Sequence, residues 1–264
     1  MRNVAYWPKT FLDEIQATTP DHGVLFQALG GPSFVYRTPQ TTIWIDPYFS
    51  GTPDSMADIA YKASPIPINP DEVTFGDVII STHSHIDHCH AGTILPILEH
   101  TDAFCVGPVS SFRRLTGADV PAERIRQVQA GDHFHFRDVE FHVYPSYDAF
   151  EPDAVTFVLS SGGTNLFVSG DTSNGPALSE IGAAHPLDYA LLAFGRTWYM
   201  NEEEMLQAAR ALNPKTLLPF HWEFWRNHTG SLAKLFEAYY RDSPPFTLQL
   251  LLIGDRIQLA PDLK

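Results

Sequence analysis

Residues 82–90 read Thr82-His83-Ser84-His85-Ile86-Asp87-His88-Cys89-His90, and four of the chain's 12 histidines fall between His83 and His90. The apolar run Val78-Ile79-Ile80 just before them has the character of a buried strand. Polar residues in a loop at the end of such a strand are placed to converge on a ligand. Imidazoles with a carboxylate among them suit Zn, Mn or Fe. His83, His85, Asp87 and His88 are therefore metal-ligand candidates. His90 is read as the start of the following helix or as support for a ligand, and Cys89 as a small buried side chain behind the loop.

Around this loop the chain alternates strand and helix signals. Strands are expected at Val24–Leu29, Ser33–Arg37, Thr41–Asp46 and Asp77–Thr82, with turns at Gly30-Gly31-Pro32 and Thr38-Pro39-Gln40-Thr41. A Pro-rich connection carries Pro47, Pro53, Pro65, Pro67 and Pro70. The helix over Ala91–His100 contains Pro96, which should interrupt it. A strand and a helix follow over Ala103–Leu115. Further strands are expected at Ile125–Gln129, Asp132–Phe136, Val139–Tyr144, Ala154–Ser160, Thr164–Ser169, Tyr189–Phe194, Lys215–Phe220, Phe246–Ile253 and Arg256–Leu259. Helices are expected at Pro176–Ala184, Glu202–Leu212 and Ser231–Tyr240. Runs of antiparallel strands with helices interspersed predict two sheets covered by helices. His133 and His135 project to one face of their strand and read as exposed.

The 264 residues, 44% apolar and 12% aromatic, can bury a substantial core, and no linker divides them, so a single domain over 1–264 is expected. Thirty-one acids against 17 bases give a formal charge of −14. That balance opposes nucleic-acid and anionic-membrane partners. No apolar run approaches the roughly 18 residues of a membrane span. The first residues lack a cationic segment followed by an apolar one, so no secretory signal is expected. Cys89 and Cys105 cannot form a disulfide framework. These readings point to a cytoplasmic protein whose partner is a small-molecule substrate. They leave its oligomeric state open, a homo-oligomer included.

The motif His83-x-His85-x-Asp87-His88 resembles the His-x-His-x-Asp-His signature of the metallo-β-lactamase-fold hydrolase superfamily. Asp171 in Ser169-Gly170-Asp171-Thr172 matches the family's bridging aspartate. His221 in Pro219-Phe220-His221 matches its last metal-binding histidine, and Ile45-Asp46-Pro47 its early Asp-Pro element. The likeness covers roughly residues 22–260 and implies an α/β fold, a four-layer αββα sandwich. Within the superfamily the chain is similar to the L-ascorbate-6-phosphate lactonase group. That likeness is carried by Pro219-Phe220-His221-x-Glu223-x-Trp225-x-Asn227 and by Leu187-Asp188-Tyr189-Ala190-Leu191 with Gly195 and Met200 beyond it. Trp222 stands where that group carries a second His, and Gly195–Met200 is shorter than its counterpart. Both departures fall around the substrate pocket.

Most superfamily members place another metal-binding His after the strand that here is Val139–Tyr144, and this chain has Asp148 in its place. Asp148 is read as a ligand, direct or through water, or as a loop cap; His142 is the nearest imidazole but lies mid-strand. The resemblance thus implies two overlapping ligand sets, His83/His85/Asp148/Asp171 and Asp87/His88/Asp171/His221. They would hold one or two divalent ions, Mn2+ or Zn2+, with Asp171 between them. A carboxylate at 148 makes the first set harder and favours Mn2+. A bound ion lowers the pKa of its water to roughly 7 and supplies hydroxide to an ester or lactone carbonyl. Asp87 or Asp148 would carry the proton. Substrate contacts are expected from Arg196, Trp222 and Arg226, with Lys62, His228, Trp198, Tyr199 and Trp225 as neighbours that serve either substrate or packing. The expected function is that of a metal-dependent hydrolase, a lactonase or esterase acting on a small, sugar-like lactone, phosphorylated or not. The competing readings are a small-molecule phosphodiesterase on the same scaffold and a non-enzymatic metal-binding sensor.

Overall fold

The computed structural model describes residues 6–49, 66, 68–195, 199–225 and 229–259. Its first sheet has the order β14-β1-β2-β3-β4-β5-β6. The strands are β1 (Val24–Gly30), β2 (Ser33–Arg37), β3 (Thr42–Ile45), β4 (Val78–Ile80), β5 (Phe104–Gly107), β6 (Ile125–Gln127) and β14 (Arg256–Leu259). The second sheet has the order β13-β12-β11-β10-β9-β8-β7. It is built from β7 (His133–Phe136), β8 (Val139–Pro145), β9 (Val155–Ser161), β10 (Thr164–Val168), β11 (Tyr189–Ala193), β12 (Thr216–Phe220) and β13 (Thr247–Leu248).

Alternation along the strands explains the stacking. On β8, Val139, Phe141 and Val143 are buried, whereas Glu140, His142 and Tyr144 point the other way. The buried set meets Phe26, Phe34, Ile43 and Ile80 of the first sheet in one core between the two sheets. A second core lies on the outer face of the first sheet, where α1 (Thr10–Ala17), α2 (Ala91–His100) and α3 (Val109–Thr116) contribute Ile15, Ile94, Ile97 and Leu115 against Trp44 and Ile79. A third lies outside the second sheet, where α4 (Ala177–Ala184), α5 (Glu202–Leu212) and α6 (Leu232–Asp242) bury Ile181, Leu206 and Leu235 against Phe167 and Leu192. Helix, sheet, sheet and helix give the four layers expected of an αββα sandwich.

Three local expectations change. The sheets are mixed rather than antiparallel throughout: β3-β4-β5-β6 and β10-β11-β12-β13 are parallel runs. Helix α2 continues through Pro96, because Thr93, Ile94, Ile97 and Leu98 on its buried face hold it against the first sheet. Of Phe246–Ile253 only Thr247–Leu248 pairs as a strand. The chain there is leaving the second sheet for the first. It reaches β1 through a turn in which Gly254 (φ +89°) donates its N–H to the Ala28 carbonyl at 2.8 Å.

Strand direction also positions the site. Strands β8, β10, β11 and β12 share one direction, since β8 and β10 each run antiparallel to β9, and β10 to β12 are parallel. The loops after β8, β10 and β12 carry Asp148, Asp171 and His221, and the loops after β3 and β4 carry Asp46 and residues 81–90. Ligands of open α/β sheets gather at such carboxyl ends.

Candidate metal centre

Two clusters meet at Asp171. His83, His85, Asp148 and Asp171 can each offer one ligand atom such that all lie within 4.8 Å of one another, and Asp87, His88 and His221 do the same. In the first group His83 Nε2 lies 2.9 Å from His85 Nδ1, 3.7 Å from Asp148 Oδ2 and 3.9 Å from Asp171 Oδ2. In the second, His221 Nε2 lies 3.2 Å from both Asp87 Oδ2 and His88 Nε2. Asp171 joins them: its Oδ2 faces His83, while its Oδ1 is 3.2 Å from His88 Nε2 and 3.6 Å from His221 Nε2.

The loops hold these groups by hydrogen bonds from neighbouring elements. Asp46 Oδ1 accepts the Thr82 N–H, and Oδ2 accepts the Thr82 hydroxyl, both at 2.8 Å; Oδ2 also lies 2.7 Å from His88 Nδ1. His88 therefore turns Nε2 toward the site, as imidazole ligands held by a carboxylate do. The Tyr199 hydroxyl is 3.2 Å from His221 Nδ1 and has the same effect there. The Trp225 indole N–H donates to Asp87 Oδ2 at 2.9 Å. Gly170, just before Asp171, has φ +54°, and a Cβ there would stand 2.8 Å from Thr82 Oγ1. Only glycine fits that approach without strain.

Charge and burial make the cluster suited to a cation. His83, Asp87, His88, Asp171 and His221 are buried. Among the described residues, every ion pair of Asp87, Asp148 and Asp171 is with a histidine. Burial would raise the Asp87 and Asp171 carboxyls, but His88 and His221 outweigh it and hold both below the usual carboxylate range. Burial would lower His88, but Asp171, Asp87 and Asp46 hold it well above an ordinary imidazole; His221 is raised by Asp171 and Asp87 in the same way. Burial, with the charge on His88, pushes His83 well down. Asp171 Oδ1 is buried and makes no well-aligned hydrogen bond beyond its ion-pair contacts with His88 and His221. Three carboxylates and four imidazoles form a donor set that one or two divalent ions fit.

Asp148 faces both ways. Its Oδ1 accepts the N–H groups of Phe150 (2.7 Å) and Glu151 (3.1 Å), as a loop cap does, while Oδ2 is directed at His83 and His85. Burial raises its carboxyl. His90 is the N-cap residue of α2, with Nδ1 2.7 Å from Thr93 Oγ1, and Cys89 is buried with its thiol pushed up to about 11 by burial. Among the described residues, neither belongs to a cluster of metal-ligand groups. Trp222 is half-buried against the outer core of the second sheet and borders a small cavity with Gly31, Phe34 and Glu223. Arg196, Arg226, Lys62, Trp198 and His228 lie outside the described residues.

The sequence missed Glu151, whose carboxylate accepts the Ser84 hydroxyl at 2.6 Å and lies 4.0 Å from His85 Nε2. The acid three positions after Asp148 is the signal that marks it. It also treated Tyr199 and Trp225 as stacking or packing groups, whereas both touch ligand candidates.

Residues 41–222 match the model of the beta-lactamase superfamily domain, and the chain belongs to that family. This span contains both clusters. Among curated proteins, the chain is 27% identical over 192 residues to a probable L-ascorbate-6-phosphate lactonase, UlaG, of Salmonella newport (strain SL254). The aligned part is 63% of this chain and 54% of the relative, so the chain spans about half the length of the curated relatives it matches. Among solved structures it is similar to Igni18, a metallo hydrolase of the archaeon Ignicoccus hospitalis (TM-score 0.74, 17% identity, 90% of this chain and 99% of that one). It is also similar to CmlA, a diiron β-hydroxylase of Streptomyces venezuelae (TM-score 0.66, 15% identity, 91% and 55%). At these identities the solved structures speak for the fold, which hosts more than one chemistry.

Proposed function

We propose that the chain is a metal-dependent hydrolase that opens a small lactone or ester of the sugar-acid kind, phosphorylated or not. The observation that carries this is the pair of donor sets sharing Asp171, assembled at the carboxyl ends of strands from both sheets. The likeness to the lactonase of Salmonella supports the choice of bond. When bound, divalent ions supply a Lewis acid and an activated water at neutral pH.

The residues then divide the work. His83, His85, Asp148 and Asp171 form one ligand set, and Asp87, His88, Asp171 and His221 the other. Asp148 is the better proton carrier of the two candidate carboxylates. Its Oδ2 is not engaged by the loop amides, so it could carry the proton where His83, His85 and Asp171 hold the ion and Asp148 meets it through water. Asp87 is held by the Trp225 indole and by His221, which suits an orienting ligand. Arg196 and Arg226 would anchor an anionic substrate group, and Trp222 would cover its ring. The metal identity, Mn2+ or Zn2+, and a cytoplasmic setting belong to the same proposal. No helix among the described residues is long and apolar enough to cross a membrane.

The test is a panel of lactones, including L-ascorbate 6-phosphate, run beside chromogenic phosphodiesters on protein stripped and refilled with Mn2+ or Zn2+. Preferential lactone or carboxylic-ester hydrolysis is expected. Preferential phosphodiester cleavage would replace the reading with a phosphodiesterase, and a metal-filled but inert protein would favour a sensor.

A further inference from the structure

Strands β7 and β8 form a hairpin at the edge of the second sheet, and its outward face carries His133, His135, Glu140 and His142, with Tyr144 beyond them. His133 stands opposite His142, and His135 opposite Glu140, in antiparallel register. The inward positions, Phe134, Val139 and Phe141, belong to the core between the sheets. Side chains directly opposed on one face of such a pair are in contact range. Glu140 Oε1 is 2.6 Å from His133 Nε2, 3.1 Å from His142 Nε2 and 3.8 Å from His135 Nε2.

We propose that His133, Glu140 and His142 bind a late first-row transition-metal dication such as Zn2+, separate from the centre at Asp171, with His135 or water as the fourth ligand. The ligand atoms of the three residues lie within 4.8 Å of one another. Donors about 2.0–2.1 Å from a tetrahedral Zn2+ are about 3.3 Å apart. Closure therefore needs the His133–Glu140 contact to open by less than about 1 Å, a side-chain adjustment on a surface with room for it.

His142 is held by one neighbour before any ion arrives: its ring lies 4.5 Å from that of His185. The exposed His133 ring, stacked nearly parallel to His142 at 4.5 Å, has to turn out of that stack to bring its lone pair to a shared ion. His185 is itself fixed by the Tyr144 hydroxyl, 2.7 Å from its Nε2. Three imidazoles with one carboxylate are a borderline-soft set, better suited to Zn2+, Ni2+ or Cu2+ than to Mg2+ or Ca2+. A bound ion would pin the edge strand β7 to β8.

The experiment compares Zn2+ binding by the full chain with that of the His133→Ala/His142→Ala double variant, by isothermal titration and by hydrogen exchange. The wild type should bind about one Zn2+ equivalent more than the double variant, since both keep the centre at Asp171. Zn2+ should slow amide exchange across residues 133–145 in the wild type alone. Glu140→Gln, which keeps the side chain's size, should weaken the same equivalent and serves if the double variant folds poorly. Equal stoichiometry and affinity in wild type and variants, with no Zn2+-dependent protection in the hairpin, would overturn the proposal.

Discussion

Asp148 uses its two oxygens for different tasks, and side-chain chemistry can separate them. Asn at 148 keeps an oxygen for the Phe150 and Glu151 amides but loses the charge turned toward His83 and His85; Ala loses both. Asp148→Asn should therefore keep wild-type stability and lose metal affinity at the first donor set, whereas Asp148→Ala should lose both. Competitive Mn2+ and Zn2+ titrations beside denaturant melts distinguish them, and an Asn variant with wild-type affinities would leave Asp148 a loop cap. Replacing His85 or Asp171 by Ala should cut hydrolysis by at least about 10³-fold, since metal ions supply several kcal/mol of transition-state stabilisation. His133→Ala should leave it unchanged, because that imidazole belongs to the edge hairpin. Trp225→Phe removes the donor to Asp87 Oδ2, and loss of such an outer partner typically costs about 10- to 100-fold in affinity or activity. Steady-state kinetics with metal titration checks all of these. At this scale the ligand candidates were legible because His83 to His88 lie within one loop and Asp171 and His221 each follow an apolar strand. Trp225 on Asp87, Tyr199 on His221 and Glu151 near His85 were not, because each contact joins segments that only the folded chain brings together.

The loops after β4, β8, β10 and β12 deliver ligand candidates because those strands end at one side of the sandwich. Gly170 is the tightest point of that delivery. An alanine there would pay about 1–2 kcal/mol for the left-handed backbone alone, and its Cβ would also strike Thr82, which Asp46 holds. Gly170→Ala should therefore lower the denaturation midpoint and weaken metal binding together; an unchanged midpoint with intact affinity would show that the loop adapts. Most strand and helix positions could be read from alternation and from turn residues. Strand direction could not, because parallel and antiparallel neighbours share the same alternation, so β3 to β6 and β10 to β13 looked no different from hairpins. Residues 249–253 carry an apolar strand signal, yet they cross from one sheet to the other and pair with neither over most of their length.

For the whole molecule, 31 acids stand against 17 bases, and three of those acids, Asp87, Asp148 and Asp171, meet four histidines at the centre. Without metal, Asp171, Asp87 and Asp46 hold His88 well above the ordinary imidazole pKa, and Asp171 and Asp87 raise His221, so both hold protons more tightly than a free imidazole. A metal ion needs their lone pairs and must displace those protons. Affinity should therefore rise with pH through and beyond the ordinary imidazole value of about 6.5 and fall as protons compete on acidification. Titration calorimetry in buffers of different ionisation enthalpy should show net proton release on binding, and binding without release would mean that the two imidazoles are already neutral. Chelation should also lower the melting temperature, since an ion that binds only the folded chain stabilises it by mass action.

Anomalous diffraction from crystals grown with Mn2+, recorded at the manganese edge, tests the metal centre most directly. The structure predicts one or two peaks beside Asp171, bounded by His83, His85 and Asp148 on one side and by Asp87, His88 and His221 on the other. Crystals of the Mn2+-refilled protein with no anomalous peak at Asp171 would contradict it.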